Sequence, residues 1–285
     1  MCRLFGFRSV LQSQVHRSLS QADNALAVQS RVHPDGWGVA YYVAGAPHII
    51  KSTEGAGSDS LFDRVSGIVT SETVIAHVRR ATQGALTTIN CHPFQYGRWV
   101  LAHNGDVPDF PAVREALLQH VSPVFRRFLL GDTDSELIFH MFLSDLAQRL
   151  DLQRRGASVD EVVGALRRTV ARVRAIADQP GKPCLLTIMI SDGEVLVGHQ
   201  GGKDLCFSTY KRLCPERGTC SFLSASCEQP SAPGAHVNHL ILSSEPLQGE
   251  NVWVSLEEGE IVAVDAFMRF YRVGLGTQHA PAMLG

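Results

Sequence analysis

Apolar positions along this chain follow two different periods. Leu137, Ile138, Met141, Phe142 and Leu146 recur at helical spacing, and Val162, Leu166, Val170, Val173 and Ala177 form a second such stripe. Asp132 or Thr133 can cap the first helix, with Glu136 placed as a capping box prefers, and the second helix is expected over about residues 158–177. Leu19, Ala22, Leu26 and Ala27 suggest a further helix, capped by Ser18 or Ser20, after a stretch at residues 7–15. Elsewhere the apolar runs are short and bounded by Gly, Pro or Asn, which predicts strands at residues 36–43, 48–51, 73–78 and 98–103. Residues 185–190 and 194–198 read as a hairpin across Ser191, Asp192 and Gly193, and further strands are expected near 221–225, 239–242, 252–254 and 260–264. Strands, two adjacent helices, then strands is not the alternating rhythm of a doubly wound sheet. The order predicts an α+β layered fold with mostly antiparallel sheets.

Composition narrows this reading only a little. The 285 residues are 45% apolar and 19% charged, which excludes disorder and coiled coil and leaves one large core or two modest ones. No internal repeat or linker is visible, so one domain is expected over residues 1–270, with a tail at 271–285. Lys and Arg number 26 against 28 Asp and Glu, giving a net charge of -2 that favours no nucleic acid; Arg167, Arg168, Arg172 and Arg174 read as a solvated helix face. The longest apolar run, residues 184–190, is far below the roughly 20 residues of a membrane span, and the first residues lack a signal-peptide core. Seven cysteines without framework spacing suit a reducing compartment, so a cytoplasmic protein is expected.

Five segments carry candidate chemistry. Cys2 begins one of them: if Met1 is removed, thiol and free α-amine lie on one residue, and an amine of pKa about 7.7–8.0 can accept the thiol proton. By position alone, Cys2 could equally be the start of a buried strand. Arg79, Arg80 and Thr82 follow an apolar strand into a Gly84 loop, where an arginine fork and a hydroxyl can hold a carboxylate, or merely cap the strand. Asn104 and Gly105 end another strand: they form a turn, or they supply side-chain and backbone N–H donors to an oxyanion. Asp134 stands in a helix-capping run and could pair with an ammonium group. His33-Pro34-Asp35-Gly36-Trp37-Gly38 reads as a Pro-Asp-Gly turn.

Together these segments resemble the class II glutamine amidotransferases, the N-terminal-nucleophile branch, and most closely their stand-alone members. The resemblance rests on Cys2-Arg3-Leu4-Phe5-Gly6, Asp35-Gly36-Trp37-Gly38, Arg79-Arg80-Ala81-Thr82-Gln83-Gly84, His103-Asn104-Gly105 and Thr133-Asp134-Ser135-Glu136, in the family's order. A late segment, Ser243-Ser244-Glu245-Pro246-Leu247 with Trp253 and Gly259, resembles the stand-alone branch. Any one motif is weak, and five in register are strong. The resemblance implies a four-layer αββα sandwich with Cys2 at the start of a central strand. It implies Cys2 as nucleophile and its α-amine as base, with Asn104 and Gly105 as oxyanion hole. Arg79 and Thr82 would hold the substrate α-carboxylate and Asp134 its α-ammonium, while Asp35, Gly36 and His103 would support the site. Many synthase-linked members carry Trp-Ala-Thr-His-Gly where this chain has Arg80-Ala81-Thr82-Gln83-Gly84.

The reaction expected is hydrolysis of a γ-glutamyl amide, similar to relatives acting on γ-glutamyl hercynylcysteine sulfoxide or on glutathione-like peptides. With no ammonia-using domain following, this is favoured over a glutaminase subunit that donates ammonia to a synthase partner. A non-catalytic glutamyl-binding module is the alternative from another class, and a retained Met1 would favour it. His77, His92 and His103, or Cys206, Cys214, Cys220 and Cys227, could be offered as metal ligands, but the cysteines match no close-paired zinc spacing. No metal, cofactor, nucleic acid or membrane partner is expected.

Overall fold

A computed structural model describes residues 2–14 and 16–274 of the chain. In chain order its elements are β1 (Arg3–Gln14), α1 (Leu26–Gln29), β2 (Trp37–Val43), β3 (Ala46–Ser52), α2 (Ser60–Ile68), β4 (Thr70–Val78), β5 (Phe94–Tyr96) and β6 (Trp99–Asp106). Four helices follow, α3 (Phe110–Leu118), α4 (Pro123–Arg126), α5 (Asp134–Leu146) and α6 (Val159–Ala177). Then come β7 (Leu185–Ser191), β8 (Leu196–His199), β9 (Cys206–Ser208), β10 (His239–Ser243), β11 (Val254–Ser255), β12 (Ile261–Val264) and β13 (Phe270–Val273). They build two antiparallel sheets, ordered β11-β9-β10-β1-β4-β2-β3 and β13-β12-β8-β7-β6-β5. β1 lies at the centre of the first sheet, between β10 and β4.

The period-2 alternation of each strand sorts its side chains between layers. On β1, Leu4 packs between the sheets with Ile75, Val100, Ala102, Met189 and Leu242, whereas Phe5 and Phe7 face outward to Phe62 of α2 and Leu26 of α1. On β6, Val100 and Ala102 face the first sheet, and Trp99 and Leu101 face Phe139 and Phe142 of α5 and Leu166 of α6. The result is the four-layer αββα sandwich expected. Burying each of these large apolar side chains contributes roughly 1.5–3 kcal/mol. The same alternation assigns even positions of β1 and β6 to the inter-sheet face. Cys2 and Asn104 are both even.

Local chemistry explains where the elements start. Thr133 accepts the Glu136 N–H to cap α5, but the Glu136 carboxylate turns back to the N–H groups of Leu130 and Gly131, so the capping box is only half made. Ser158 and Glu161 complete the full reciprocal box on α6. The arginines of α6 are not simply solvated: Arg168 grips Asp145 of α5 at 2.6 and 2.9 Å, and Arg174 pairs with Glu258.

Several expectations are corrected. The helix expected around Leu19 to Ala27 is broken into a five-residue π turn, Arg17–Gln21, and the single turn α1. Asn24 is the cause: its side chain donates to Pro246 O at 2.7 Å and accepts from Gln248 N at 2.9 Å, so this segment follows a distant loop rather than its own periodicity. Residues 221–225 form turns rather than a strand. α2, α3, α4, β5, β9 and β13 carry too few periodic positions to be seen in the sequence. Because β13 pairs with β12, residues 271–273 belong to the second sheet rather than to the tail; residues 275–285 lie outside the described residues. Among the described residues no helix is long and apolar enough to cross a membrane.

Two buried histidines, His199 and His239, tie stability to pH. Burial lowers His199 to about 4, against a pull upward from the Leu186 carbonyl, and lowers His239 to about 3. Both therefore fold neutral, and below pH 6.5 the unfolded chain binds protons that the folded chain refuses. Their contribution is fully present above pH 6.5 and is lost as pH falls toward 4 for His199 and toward 3 for His239. Urea unfolding should give a stability at pH 5 lower than at pH 7 by about 2 kcal/mol or more. Equal stabilities at the two pH values would contradict this assignment.

Candidate active site

The site is assembled where β1 begins, β4 and β6 end and α5 begins. Cys2 is half-buried, and its sulfur lies 3.3 Å from the Arg80 N–H and 3.4 Å from the Arg80 carbonyl. The strand behind it is fixed by Ser244, whose hydroxyl accepts from Leu4 N at 2.9 Å and whose N–H donates to Leu4 O at 3.0 Å. Arg3 adds an ion pair with Glu245 at 3.4 Å. Thus the late Ser244-Glu245 segment clamps the first residues of the chain.

The turn at Asp35 and Gly36 holds the next wall. Gly36 O accepts from Arg79 N at 2.8 Å, and the Asp35 carboxylate accepts from Ala81 N at 2.9 Å, so this turn sets the path of the residues touching the Cys2 sulfur. Gly36 has φ +123°, and a Cβ there would lie 2.8 Å from the Cys91 sulfur, which is why glycine is required.

Arg79 is 2% exposed; its guanidinium donates to the carbonyls of Gln83, Gly84 and Ala85 at 2.9, 3.4 and 3.1 Å. Among the described residues no carboxylate lies within ion-pair distance of it. Thr82 is exposed on the same loop, without a side-chain hydrogen bond to any described residue. Gln83 ties the loop to the end of β6 by donating to Asp106 at 3.1 Å. Asn90 ties it to the head of α5, donating to Ala85 O at 3.0 Å and to Asp132 at 2.5 Å.

Asn104 is buried on β6, and its amide makes no hydrogen bond to another described side chain or carbonyl. Gly105 follows where nothing larger fits: a Cβ would lie 1.7 Å from Leu185 O and 2.3 Å from His103 Nε2. His103 points to the helical layer instead, 2.8 Å from Ser135 Oγ and 2.9 Å from Leu185 O. Asp134 opens α5 and is 3% exposed, accepting from Val107 N at 2.9 Å and from Ser135 N at 2.7 Å. Like Arg79, it has no ion-pair partner among the described residues.

Charge around the sulfur is balanced between opposing groups. Burial pushes the Cys2 thiol up, the Arg80 N–H and the Arg79 guanidinium pull it down, and the Asp134 carboxylate pushes it up. Burial also raises Asp134, opposed by His103 and by the Val107 N–H. Arg79 and Asp134 therefore both act on the Cys2 sulfur.

The structure thus brings Cys2, Asp35, Gly36 and Arg79 into one hydrogen-bonded unit, and His103, Asn104, Gly105 and Asp134 into a second, joined through Gln83. No hydrogen bond links Cys2 to Asn104. Sequence reasoning missed Asn90, Gln83 and Ser244 as site builders; the sole signal available for Gln83 and Ser244 was their place inside the family-like motifs. His77 and His92 lie deeper, with ring centroids 4.3 Å apart, both neutral through burial. Among the described residues no three His, Cys, Asp or Glu side chains are arranged to hold a metal ion.

An αββα sandwich with a cysteine at the head of its central strand is the architecture of the N-terminal-nucleophile amidohydrolases. The chain belongs to the class-II glutamine amidotransferases, whose family model matches residues 1–269. It is 29% identical over 223 residues to a protein of Saccharomyces cerevisiae named as a probable glutamine amidotransferase, covering 69% of this chain and 62% of that one. It is 32% identical over 117 residues to the gamma-glutamyl-hercynylcysteine sulfoxide hydrolase of Mycobacterium tuberculosis, covering 38% of this chain and 50% of that one. The chain therefore spans less than two thirds of either relative. A solved glutamine aminotransferase class-II domain protein from Silicibacter pomeroyi superposes with TM-score 0.64 at 22% identity, over 97% of this chain and all of that one, showing the shared fold.

Proposed function

We propose that the protein hydrolyses the γ-amide of a small γ-glutamyl compound, using Cys2 as an N-terminal nucleophile once Met1 has been removed. The observation that carries this reading is a buried guanidinium, Arg79, and a buried carboxyl group, Asp134, which both act on the thiol and have no ion-pair partner among the described residues. A buried guanidinium without an ion-pair partner is costly, and a zwitterionic ligand offers a carboxylate to it and an ammonium to the buried carboxyl group at once. Arg79, helped by Thr82, would take the α-carboxylate and Asp134 the α-ammonium of a zwitterionic glutamyl head, directing the γ-amide toward Cys2.

The cycle then needs no further group. The α-amine accepts the thiol proton, the thiolate attacks the γ-carbonyl, and the oxyanion is met by the Asn104 amide and the Gly105 N–H. The leaving amine departs with the proton from the α-ammonium, and water hydrolyses the glutamyl thioester to glutamate and free thiol. The tuberculosis relative named for a γ-glutamyl substrate supports this class over free ammonia donation.

The test is mass analysis of the N-terminus after exposure to a glutamine-analogue electrophile. Loss of Met1 with a covalent adduct on Cys2 is expected; retained Met1, or labelling elsewhere, would refute the mechanism. Comparing free glutamine with γ-glutamyl dipeptides at equal concentration tests the substrate, and faster turnover of glutamine, raised further by a partner subunit, would overturn it. Asn104→Ala should lower kcat by ~10²–10³ while KM changes little, as expected for a donor used mainly in the transition state. A variant raising only KM would place Asn104 outside the oxyanion hole.

A further inference from the structure

Behind the proposed ammonium subsite, three side chains are joined in a way that fixes their proton count. Leu185 O lies 2.9 Å from His103 Nε2 and can only accept, so Nε2 carries a hydrogen. His103 Nδ1 lies 2.8 Å from Ser135 Oγ, and Ser135 Oγ lies 3.1 Å from Asp134 Oδ1. The hydroxyl has one proton to give. With a neutral imidazole and an ionised carboxylate, both ends call for that proton, and one contact would set lone pair against lone pair.

One additional proton satisfies every contact. Placed on Asp134 Oδ1, it is donated to Ser135 Oγ, which donates its own proton to His103 Nδ1. Placed on Nδ1, it is donated to Oγ, which then donates to Oδ1. His103, Ser135 and Asp134 are 1%, 4% and 3% exposed, so this proton is shut away from bulk water. We propose that His103, Ser135 and Asp134 form a closed one-proton relay that lets Asp134 change charge on substrate binding without exchanging a proton with solvent. This rests on the reading of Asp134 as ligand of the substrate ammonium.

In the free enzyme the proton resides on Asp134. When an ammonium group arrives, the Oδ1–H bond breaks, its proton passes to Ser135 Oγ, and the hydroxyl's former proton forms a bond to His103 Nδ1. Asp134 becomes a carboxylate facing the ammonium, His103 becomes an imidazolium, and no proton leaves the protein. His103 is here a positioning residue acting through Asp134.

The groups facing His103 permit this. Ser135 and Asp134 approach from α5 and the Leu185 carbonyl from β7. His92 stands with its ring centroid 6.4 Å away, with His77 behind it, and burial keeps both uncharged, so a second proton on His103 meets no other imidazolium. Burial raises the Asp134 carboxyl, which favours leaving the proton there until a substrate cation is present.

The experiment uses Cys2→Ala, which binds glutamine without turning it over. The ¹⁵N shifts of the His103 ring, assigned through its own couplings, should report a neutral Nε2–H tautomer in the free protein and an imidazolium with glutamine bound. Titration calorimetry in two buffers of different ionisation heat should show no net proton exchange. An unchanged His103 ring, or release or uptake of half a proton or more, would overturn the relay. Adding Ser135→Ala should weaken glutamine binding about tenfold and leave binding of its deamino analogue unchanged, whereas equal losses for both ligands would mark Ser135 as merely structural. Failure of the ammonium reading looks different: Asp134→Asn would then leave the preference for glutamine over the deamino analogue intact.

Discussion

Replacing Gly105 with alanine is expected to destroy turnover and to destabilise the fold together. The new Cβ would lie 1.7 Å from Leu185 O and 2.3 Å from His103 Nε2, and neither is a flexible side-chain end. Strand β6 must then move away from β7, at a cost of about 3 kcal/mol by the standard of overpacked interiors. Displacing the Gly105 N–H would also remove the proposed oxyanion donor, lowering kcat by ~10²–10³. Urea unfolding and single-turnover kinetics on one preparation would measure both. Gly218→Ala is the control: a Cβ there meets nothing within 4 Å, so stability should stay within about 0.5 kcal/mol. A Gly105→Ala protein as stable as the wild type would contradict the register assigned to β6 and β7.

Cys2→Ser should abolish turnover while leaving the fold intact. Among the described residues the Cys2 sulfur hydrogen-bonds to the Arg80 peptide alone, so little packing is lost. An alkoxide is far harder to form from an N-terminal serine than a thiolate from cysteine, and loss of a nucleophile costs roughly 10³ or more in kcat. Glutamine binding, measured by calorimetry, should change by less than about threefold, because Arg79 and Asp134 rather than the thiol are proposed to hold the substrate head. Residual turnover within tenfold of wild type would move the nucleophile elsewhere; Cys91, a buried thiol on which Arg79 also acts, is one such candidate.

How much of this was legible before the fold was known differs from residue to residue. The strand ending in Asn104 and Gly105 could be read directly, because its apolar residues and turn pair are contiguous. So could α6, whose stripe and Ser158 cap are local. The layered architecture followed from strand and helix order together with the family motifs. The short strands β5, β9 and β13 left no trace, because three or four residues in a sheet are held by neighbours distant in sequence. The broken helix near Leu19 shows the opposite failure: its periodicity was real, but Asn24 answers to residues 246–248.

The sequence by itself determined the family, the layered fold class and the residue types available for catalysis, since motif order and apolar period are properties of adjacent residues. Only the tertiary structure decided that Arg79 and Asp134 are buried, lack ion-pair partners among the described residues and act on the same sulfur. It alone placed Ser244 on the first strand, Gln83 on Asp106, and a single shared hydroxyl between His103 and Asp134. Charge state and proton count depend on burial and on partners up to 240 residues apart, and neither quantity is written in local sequence.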